Sequence, residues 1–227
     1  MIQTTNEIWF PKNKTIAIYG GSFDPPTLAH VHIASCLANH VDEVWVLPVN
    51  KHRIKQHFLG APKNAYQRYN STYDERLILC DIAFGGIGNC KVRLLEKYCS
   101  RMQPSYDGST YELLQYLTNI YPSYNFVVAI GQDNAESISE WKHSKQLIEE
   151  HSFIVYSRGD GDAKLPEILE DNTLITNNKY TDISSTQARD ILETVYQTSV
   201  LCDNELAQLK TILPDPVIKY IIKKLGE

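Results

Sequence analysis

The hydrophobic positions of this chain alternate between short apolar runs and longer amphipathic stretches. The short runs predict strands at Thr15–Tyr19, Glu43–Val49, Lys91–Leu95, Phe126–Ile130, Ser152–Ser157 and Thr173–Thr176. The amphipathic stretches predict helices at His30–Asn39, Tyr73–Phe84, Thr110–Asn119, Trp141–Glu149, Leu165–Glu170, Ser185–Thr194 and Pro216–Leu225. This alternation predicts an α/β fold with a doubly wound parallel sheet and helices on both faces. We expect one domain over residues 1–227, with a small C-terminal helical part over about residues 185–227.

A glycine-rich turn, Gly20–His30, follows the first predicted strand and opens a helix. Small residues let backbone N–H groups approach an anion closely, and the helix N-terminus adds the positive end of its dipole. The turn is therefore expected to hold phosphate. Thr27 and His30 are three residues apart, so both can face one point at the start of the helix. This pair indicates chemistry on the phosphate as well as binding.

Charge and composition limit the classes of function. The net charge of -5 argues against wide nonspecific binding to nucleic acid, which requires a basic face. The five cysteines show no Cys-x-x-Cys spacing, so neither a disulfide framework nor a zinc site is indicated. No apolar stretch approaches the roughly 18 residues of a membrane span, and the N-terminus lacks the apolar core of a signal peptide. We expect a cytoplasmic protein without membrane or nucleic-acid partners, with a nuclear location left open.

Two motifs, in this order, carry a resemblance to a known family. The turn is similar to the Gly-x-Phe-x-Pro-x-x-x-x-His signature of the nucleotidyltransferase superfamily. The segment from Asp182 to Arg189 resembles the Ile-Ser-Ser-Thr-x-x-Arg motif of the nicotinate or nicotinamide mononucleotide adenylyltransferases. Hydroxyl residues before a helix are by themselves typical of an N-cap, but their order after the first motif favours the family. The resemblance implies a Rossmann-like sheet and transfer of AMP from ATP to a pyridine mononucleotide, with release of pyrophosphate.

The stretch between the motifs resembles the part of the family that binds the mononucleotide. Gly131 and Asp133 are similar to the family's Gly-x-Asp, which is followed by a tryptophan that stacks on the pyridine ring, here Trp141. Thr110 is similar to a residue that borders the same ring. The resemblance also implies a phosphate or ribose contact at Arg158. The irregular basic stretch from Asn50 to Tyr73 is interpreted as a flap over the substrate phosphates, with Lys51 and Lys55 as mononucleotide contacts.

The resemblance implies catalytic roles for His30, Thr27 and Arg189. His30 is expected to donate to the α-phosphate, Thr27 to add a hydroxyl donor, and Arg189 to hold the leaving phosphates with its planar guanidinium. The further ATP contacts are expected at Gly21, Ser22, Phe23, Ser184, Ser185 and Thr186. Mg²⁺ is the expected cofactor, bound mainly through substrate phosphates and water rather than by a protein site. No covalent intermediate is expected.

Several alternatives stay open. Phosphopantetheine adenylyltransferases and cytidylyltransferases share the first motif, and a nucleotide-sensing or chaperone-like module could keep the fold without turnover. Thr27, Ala29 and Ala188 depart from the bacterial pattern of the family. These departures leave open whether the substrate is the acid, the amide or both. The sequence also does not decide between a monomer and a homo-oligomer.

Overall fold

A computed structural model describes residues 14–49, 72–157, 164–176, 179–180, 182–198 and 200–225. Its strands are β1 (Lys14–Gly21), β2 (Glu43–Pro48), β3 (Cys90–Val92), β4 (Tyr124–Gly131), β5 (Ser152–Tyr156) and β6 (Thr173–Ile175). Its helices are α1 (Leu28–Leu37), α2 (Tyr73–Phe84), α3 (Leu95–Met102), α4 (Thr110–Ile120), α5 (Gln132–Glu136), α6 (Ser144–Glu150), α7 (Ser185–Thr198), α8 (Asp203–Ile212) and α9 (Asp215–Leu225). Short 3₁₀ turns lie at Ile138–Glu140 and Glu167–Leu169.

The six strands form one parallel sheet in the order β3-β2-β1-β4-β5-β6. The chain builds outward from β1 in one direction and then returns to continue from β1 in the other. The strand order therefore reverses between β1 and β4, and the predicted doubly wound sheet is confirmed. A crevice opens at such a reversal, outside the carboxyl ends of the strands.

Two apolar cores cover the two faces of the sheet because side chains along a strand point alternately to opposite faces. On β1, Ile16 and Ile18 enter one core, whereas Ala17 and Tyr19 enter the other. The first core is covered by α4 and α6, and the second by α1 and α2. A third core joins α7, α8 and α9, and Leu79 of α2 packs into it. Helices thus lie on both faces, with a helical group at the C-terminus.

Three predicted elements differ from the structure. The strand predicted at Lys91–Leu95 ends at Val92, because α3 begins at Leu95 and buries Cys99. The helix predicted from Trp141 begins only at Ser144, after a residue with left-handed backbone, and the one predicted at Leu165–Glu170 is a single 3₁₀ turn. The sequence pattern did not predict α3, α5 or α8. The remaining predicted helices agree to within a few residues at each end.

Candidate active site

The glycine turn is held rigidly by an aromatic cluster. Phe23 is 1% exposed, and its ring contacts Tyr19, Phe84 and the imidazole of His30 at centroid distances of 5.3, 5.5 and 5.1 Å. Its φ of 47° lies in the left-handed region, which costs a non-glycine residue free energy that the packing must offset. A Cβ at Gly21 would lie 2.8 Å from this ring, so glycine is required there.

Thr27 and His30 meet at the start of α1. Thr27 is fully buried, and its backbone N–H donates to Nδ1 of His30 at 3.0 Å, with its hydroxyl oxygen 2.9 Å from the same nitrogen. The His30 N–H donates weakly to that hydroxyl at 3.4 Å, which completes a capping box. Because a backbone N–H can only donate, Nδ1 is the acceptor and the ring proton lies on Nε2. In this structure the Thr27 hydroxyl therefore lies against the imidazole of His30.

The second motif packs directly against the glycine turn. Nη1 of Arg189 donates to the Asp24 carbonyl at 2.6 Å, and the Ser185 hydroxyl donates to the Pro25 carbonyl at 2.8 Å. Nη2 of Arg189 also donates to the Thr186 hydroxyl at 2.9 Å. Residues about 160 positions apart along the chain thus share one structural unit.

Two hydroxyl groups of this motif already have partners within the protein. The Ser184 hydroxyl accepts from the Gln187 N–H at 3.3 Å, as in a helix cap, and the single Ser185 proton is used on the Pro25 carbonyl. A hydroxyl has only one proton to donate. In this conformation Ser185 therefore cannot also donate to a phosphate, which leaves the first-turn N–H groups of α7 and the remaining donors of Arg189 to face an anion.

Two of the cavities formed by the described residues lie beyond the carboxyl ends of the strands. The larger, of about 240 Å³, is lined by the ends of β1, β2 and β4 and by Thr110 and Trp141. The smaller, of about 60 Å³, is lined by His30 and Ser184. Tyr156 borders both cavities. Predicted residues thus line both cavities, which share Tyr156 at the end of β5.

The other predicted residues differ in their relation to these cavities. Gly21 and Ser22 line the larger one. Gly131 is buried at the end of β4, and the exposed Asp133 follows it in α5, where Asn134 rather than Asp133 lines the cavity. The predictions for Lys51, Lys55 and Arg158 fall outside the described residues, as does nearly all of the basic stretch.

Sequence reasoning missed two side chains at the cleft. Arg76 of α2 donates to the carbonyls of Ser22 and Val49 at 2.8 and 2.7 Å, and so joins the turn after β1 to the end of β2. Glu96 of α3 places a carboxyl group on the larger cavity. Burial, with the Glu96 carboxylate nearby, raises the pKa of Tyr73 to about 12, which keeps this phenol neutral. Neither Arg76 nor Glu96 belongs to a local sequence motif, so only the tertiary structure identifies these two residues.

One group of side chains has the composition of a metal site. Single ligand atoms of Asp107, Glu112 and His143 all lie within 4.8 Å of one another. Three of the four carboxylate oxygens are already engaged, since Glu112 accepts from the Asp107 N–H at 2.7 Å, and Asp107 accepts from the Ser109 N–H and pairs with Lys142. Glu112 lies in α4, and Asp107 lies just before it. With an ammonium group already paired to Asp107, the arrangement does not fit a Mg²⁺ ion.

A search of the described residues for membrane-spanning helices finds none of sufficient length and hydrophobicity.

Comparison with known proteins agrees with this geometry. The model of the cytidylyltransferase-like family matches residues 18–78 and 89–191. The chain is 30% identical to the probable nicotinate-nucleotide adenylyltransferase of Fusobacterium nucleatum over 201 residues, which cover 86% of this chain and 95% of that protein. It is 26% identical to the corresponding probable enzyme of Cytophaga hutchinsonii over 196 residues, covering 86% and 94% of the two chains.

Solved structures give the same result. The nicotinic acid mononucleotide adenylyltransferase of Plasmodium falciparum, complexed with NaAD, superposes with a TM-score of 0.70 at 26% identity, covering 93% of this chain and 96% of that one. The same enzyme complexed with APC gives a TM-score of 0.62 at 27% identity, with the same coverage. Matches of this length, together with the paired motifs at one cleft, show that the chain belongs to the cytidylyltransferase-like family and, within it, to the nicotinate-nucleotide adenylyltransferases.

Proposed function

We propose that this protein transfers AMP from ATP to nicotinate mononucleotide. A phosphate oxygen of the mononucleotide forms a bond to the α-phosphorus of ATP. The bond from that phosphorus to the bridging oxygen breaks, and pyrophosphate leaves with the electron pair. Positioning and charge stabilisation dominate such transfers, so no covalent enzyme intermediate is needed. The observation that carries the proposal is the contact of the Thr27 N–H with the His30 ring beside the phosphate turn.

His30 is the proposed donor to the α-phosphate. With its Nδ1 accepting from Thr27, the ring carries its proton on Nε2 and can donate it in a hydrogen bond as negative charge shifts in the transition state. His30 lines the smaller cavity, which supports this role. Thr27 acts through His30, because its hydroxyl is buried against the ring.

The ATP phosphates are proposed to lie between the glycine turn and the start of α7. Gly21, Ser22 and Phe23 supply backbone, while Ser184, Ser185 and Thr186 open a helix whose free N–H groups attract an anion. Arg189 has five N–H donors and uses two on Asp24 and Thr186, so its guanidinium retains donors for phosphate. Because the ATP phosphates would contact both the glycine turn and α7, the C-terminal helices would form one domain with the sheet.

The mononucleotide is proposed to occupy the larger cavity. Trp141 and Thr110 line it, which supports stacking on the pyridine ring and contact at its edge. Gly131 and Asp133 lie where β4 ends against this cavity, and Lys51, Lys55 and Arg158 are retained as proposed phosphate or ribose contacts. Mg²⁺ is proposed to enter as a complex with the ATP phosphates. We propose that the reaction takes place in the cytoplasm.

A pyrophosphate-release assay tests the function. The protein is incubated with ATP and, in separate reactions, with nicotinate mononucleotide, nicotinamide mononucleotide, phosphopantetheine or no acceptor. We expect pyrophosphate and the dinucleotide in equal amounts with nicotinate mononucleotide. His40, an exposed histidine just beyond α1, provides the control variant His40→Ala, which should retain full activity. Turnover only with phosphopantetheine, or binding of nucleotides without pyrophosphate release, would contradict the proposal and favour one of the alternatives.

A further inference from the structure

Asp107 joins two segments that both line the larger cavity. One is the start of α4, where Thr110 lies, and the other is the segment that carries Trp141. Oδ1 of Asp107 accepts from the Ser109 N–H at 2.7 Å, and Ser109 in turn caps α4 by accepting from the Glu112 N–H at 3.2 Å. The Asp107 N–H donates to Glu112 at 2.7 Å. One side chain thus shapes the backbone that enters α4.

The second oxygen of Asp107 contacts the segment that follows Trp141. Oδ2 forms an ion pair with the ammonium group of Lys142 and lies 3.4 Å from Nε2 of His143. The Asp107 side chain is only 13% exposed, whereas that of Lys142 is 46% exposed. A carboxylate of low exposure is screened less by solvent and salt than a surface one, so this pair restrains its partners more than an ordinary surface pair does.

The segment reached by Asp107 includes an unfavourable backbone conformation. His143 has φ of 59°, in the left-handed region, and its carbonyl accepts from the Leu147 N–H at 2.9 Å to start α6. Trp141, two residues earlier, accepts from the Ser144 N–H at 3.1 Å. A left-handed histidine persists only where its surroundings hold it, and here Asp107 and the Tyr111 ring, 5.5 Å from the imidazole, contact it.

We propose that Asp107 is a positioning residue that sets the width of the slot between Thr110 and Trp141, and so the affinity for the pyridine mononucleotide. The inference rests on the proposed function, which assigns those two residues to the mononucleotide. Asp107 acts through the backbone at Ser109 on one side and through Lys142 and His143 on the other. Without it, the tryptophan and the start of α4 are free to separate, and ring stacking weakens.

A separate set of contacts, which does not include Asp107, holds α6 against α4. The Tyr111 hydroxyl donates to one oxygen of Glu150 at 3.1 Å, and Gln115 donates to the other at 2.7 Å. Leu147 and Leu114 are buried in the same core below them. Loss of Asp107 should therefore leave the two helices docked, and the variant should fold.

The test compares Asp107→Asn with two further variants. Asparagine keeps an oxygen for the Ser109 N–H but replaces the carboxylate, and Lys142→Met removes the ammonium group while leaving the α4 cap intact. We expect each to raise the KM for nicotinate mononucleotide about tenfold, the loss of one charge-assisted contact, with kcat and the KM for ATP within about twofold. Glu150→Gln, which alters the separate contacts with Tyr111 and Gln115, should leave all three unchanged.

Trp141 fluorescence gives a readout that general destabilisation does not produce. Quenching by the mononucleotide, measured as the difference from Trp141→Phe, should require about ten times more ligand in Asp107→Asn. An unchanged mononucleotide KM in both single variants, or equal increases in the KM values for both substrates, would overturn the inference. Such results leave the proposed function intact, because that function fails only if the parent protein forms no dinucleotide.

Discussion

On the proposed ATP side of the cleft, the contacts that join distant segments end on backbone carbonyls, whereas on the proposed mononucleotide side they join charged side chains. Arg189, Ser185 and Arg76 all donate to carbonyl oxygens in or beside the glycine turn. Across the cleft, the corresponding link is the ion pair between Asp107 and Lys142. One half is thus fixed through the main chain and the other through side-chain charge.

The two sides are therefore expected to contribute differently to catalysis and to substrate binding. Carbonyl acceptors do not ionise and belong to a backbone that few substitutions can move, so the ATP side is pre-organised for the charge that develops during transfer. The mononucleotide side needs only to hold a flat ring in place. Substitutions on the first side are expected to change turnover or ATP affinity, and substitutions on the second side to change the KM for the mononucleotide.

The strongest test of the ATP side is His30→Ala. We expect turnover to fall by roughly two to three powers of ten, the usual loss for one donor to a developing oxyanion, while the dissociation constant for ATP changes less. Single-turnover kinetics at saturating substrates measure the loss. Activity within a few-fold of the parent would remove His30 from the mechanism and with it the assigned role of this half.

A smaller effect is expected from Thr27→Val, which keeps the shape of the side chain and the backbone N–H but removes the hydroxyl beside His30. Turnover should fall about tenfold, equivalent to about 1.4 kcal/mol, with both KM values nearly unchanged. Thr27→Ser restores the hydroxyl and should recover most of the rate. If serine and valine behave alike, the hydroxyl does not position the imidazole, and the backbone contact suffices.

Glu43 offers a control because it lies at the amino end of β2, whereas the cleft lies at the carboxyl ends of the strands. Its carboxylate, 11% exposed, accepts from Lys14 at 3.0 Å and from the Trp45 indole at 3.0 Å, and it pairs with Lys91 at 2.8 Å. Burial alone would raise its pKa, but the hydrogen bonds from Lys91, Trp45 and Lys14 prevail and lower it from 4.5 to about 2. We expect Glu43→Gln to lower the free energy of unfolding by about 1–3 kcal/mol, with both KM values unchanged.

The pH dependence of this control has a definite sign. A depressed carboxyl pKa contributes stability that is fully present above pH 4.5 and declines as the pH falls towards 2. The difference in unfolding free energy between the parent and Glu43→Gln, from urea denaturation, should therefore be smaller near pH 3 than at pH 7. An equal difference at both values would mean that the ionised form contributes nothing.

The sequence predicted those parts of the fold and site that depend on local pattern. The run Phe126–Ile130 is apolar because its strand is covered on both faces, and the structure places β4 there. Thr27 and His30 could be paired from their spacing, since three residues form nearly one helical turn. The helix over Leu95–Met102 was missed because it is short, follows directly on a strand and buries only one narrow face.

Other features depend on contacts that no spacing encodes. Arg76 lies in an ordinary amphipathic helix, and only the folded chain brings its guanidinium to Ser22 and Val49. The apolar pattern predicted a helix that begins at Trp141. The backbone of His143 is in the left-handed region, and the helix begins only at Ser144. The single domain over the whole chain, Mg²⁺ and the individual roles of the site residues stay predictions.

The most direct test of the division between the two halves is calorimetric titration of each substrate alone into Arg189→Ala and Trp141→Ala. We expect Arg189→Ala to weaken ATP strongly and to leave nicotinate mononucleotide nearly unaffected, with Arg189→Lys recovering only part because an ammonium group cannot make a two-pronged contact. Trp141→Ala should do the reverse, weakening the mononucleotide by about 1–3 kcal/mol of lost stacking at unchanged ATP affinity. Loss of mononucleotide affinity in Arg189→Ala with ATP binding intact would contradict the assignment of the two halves.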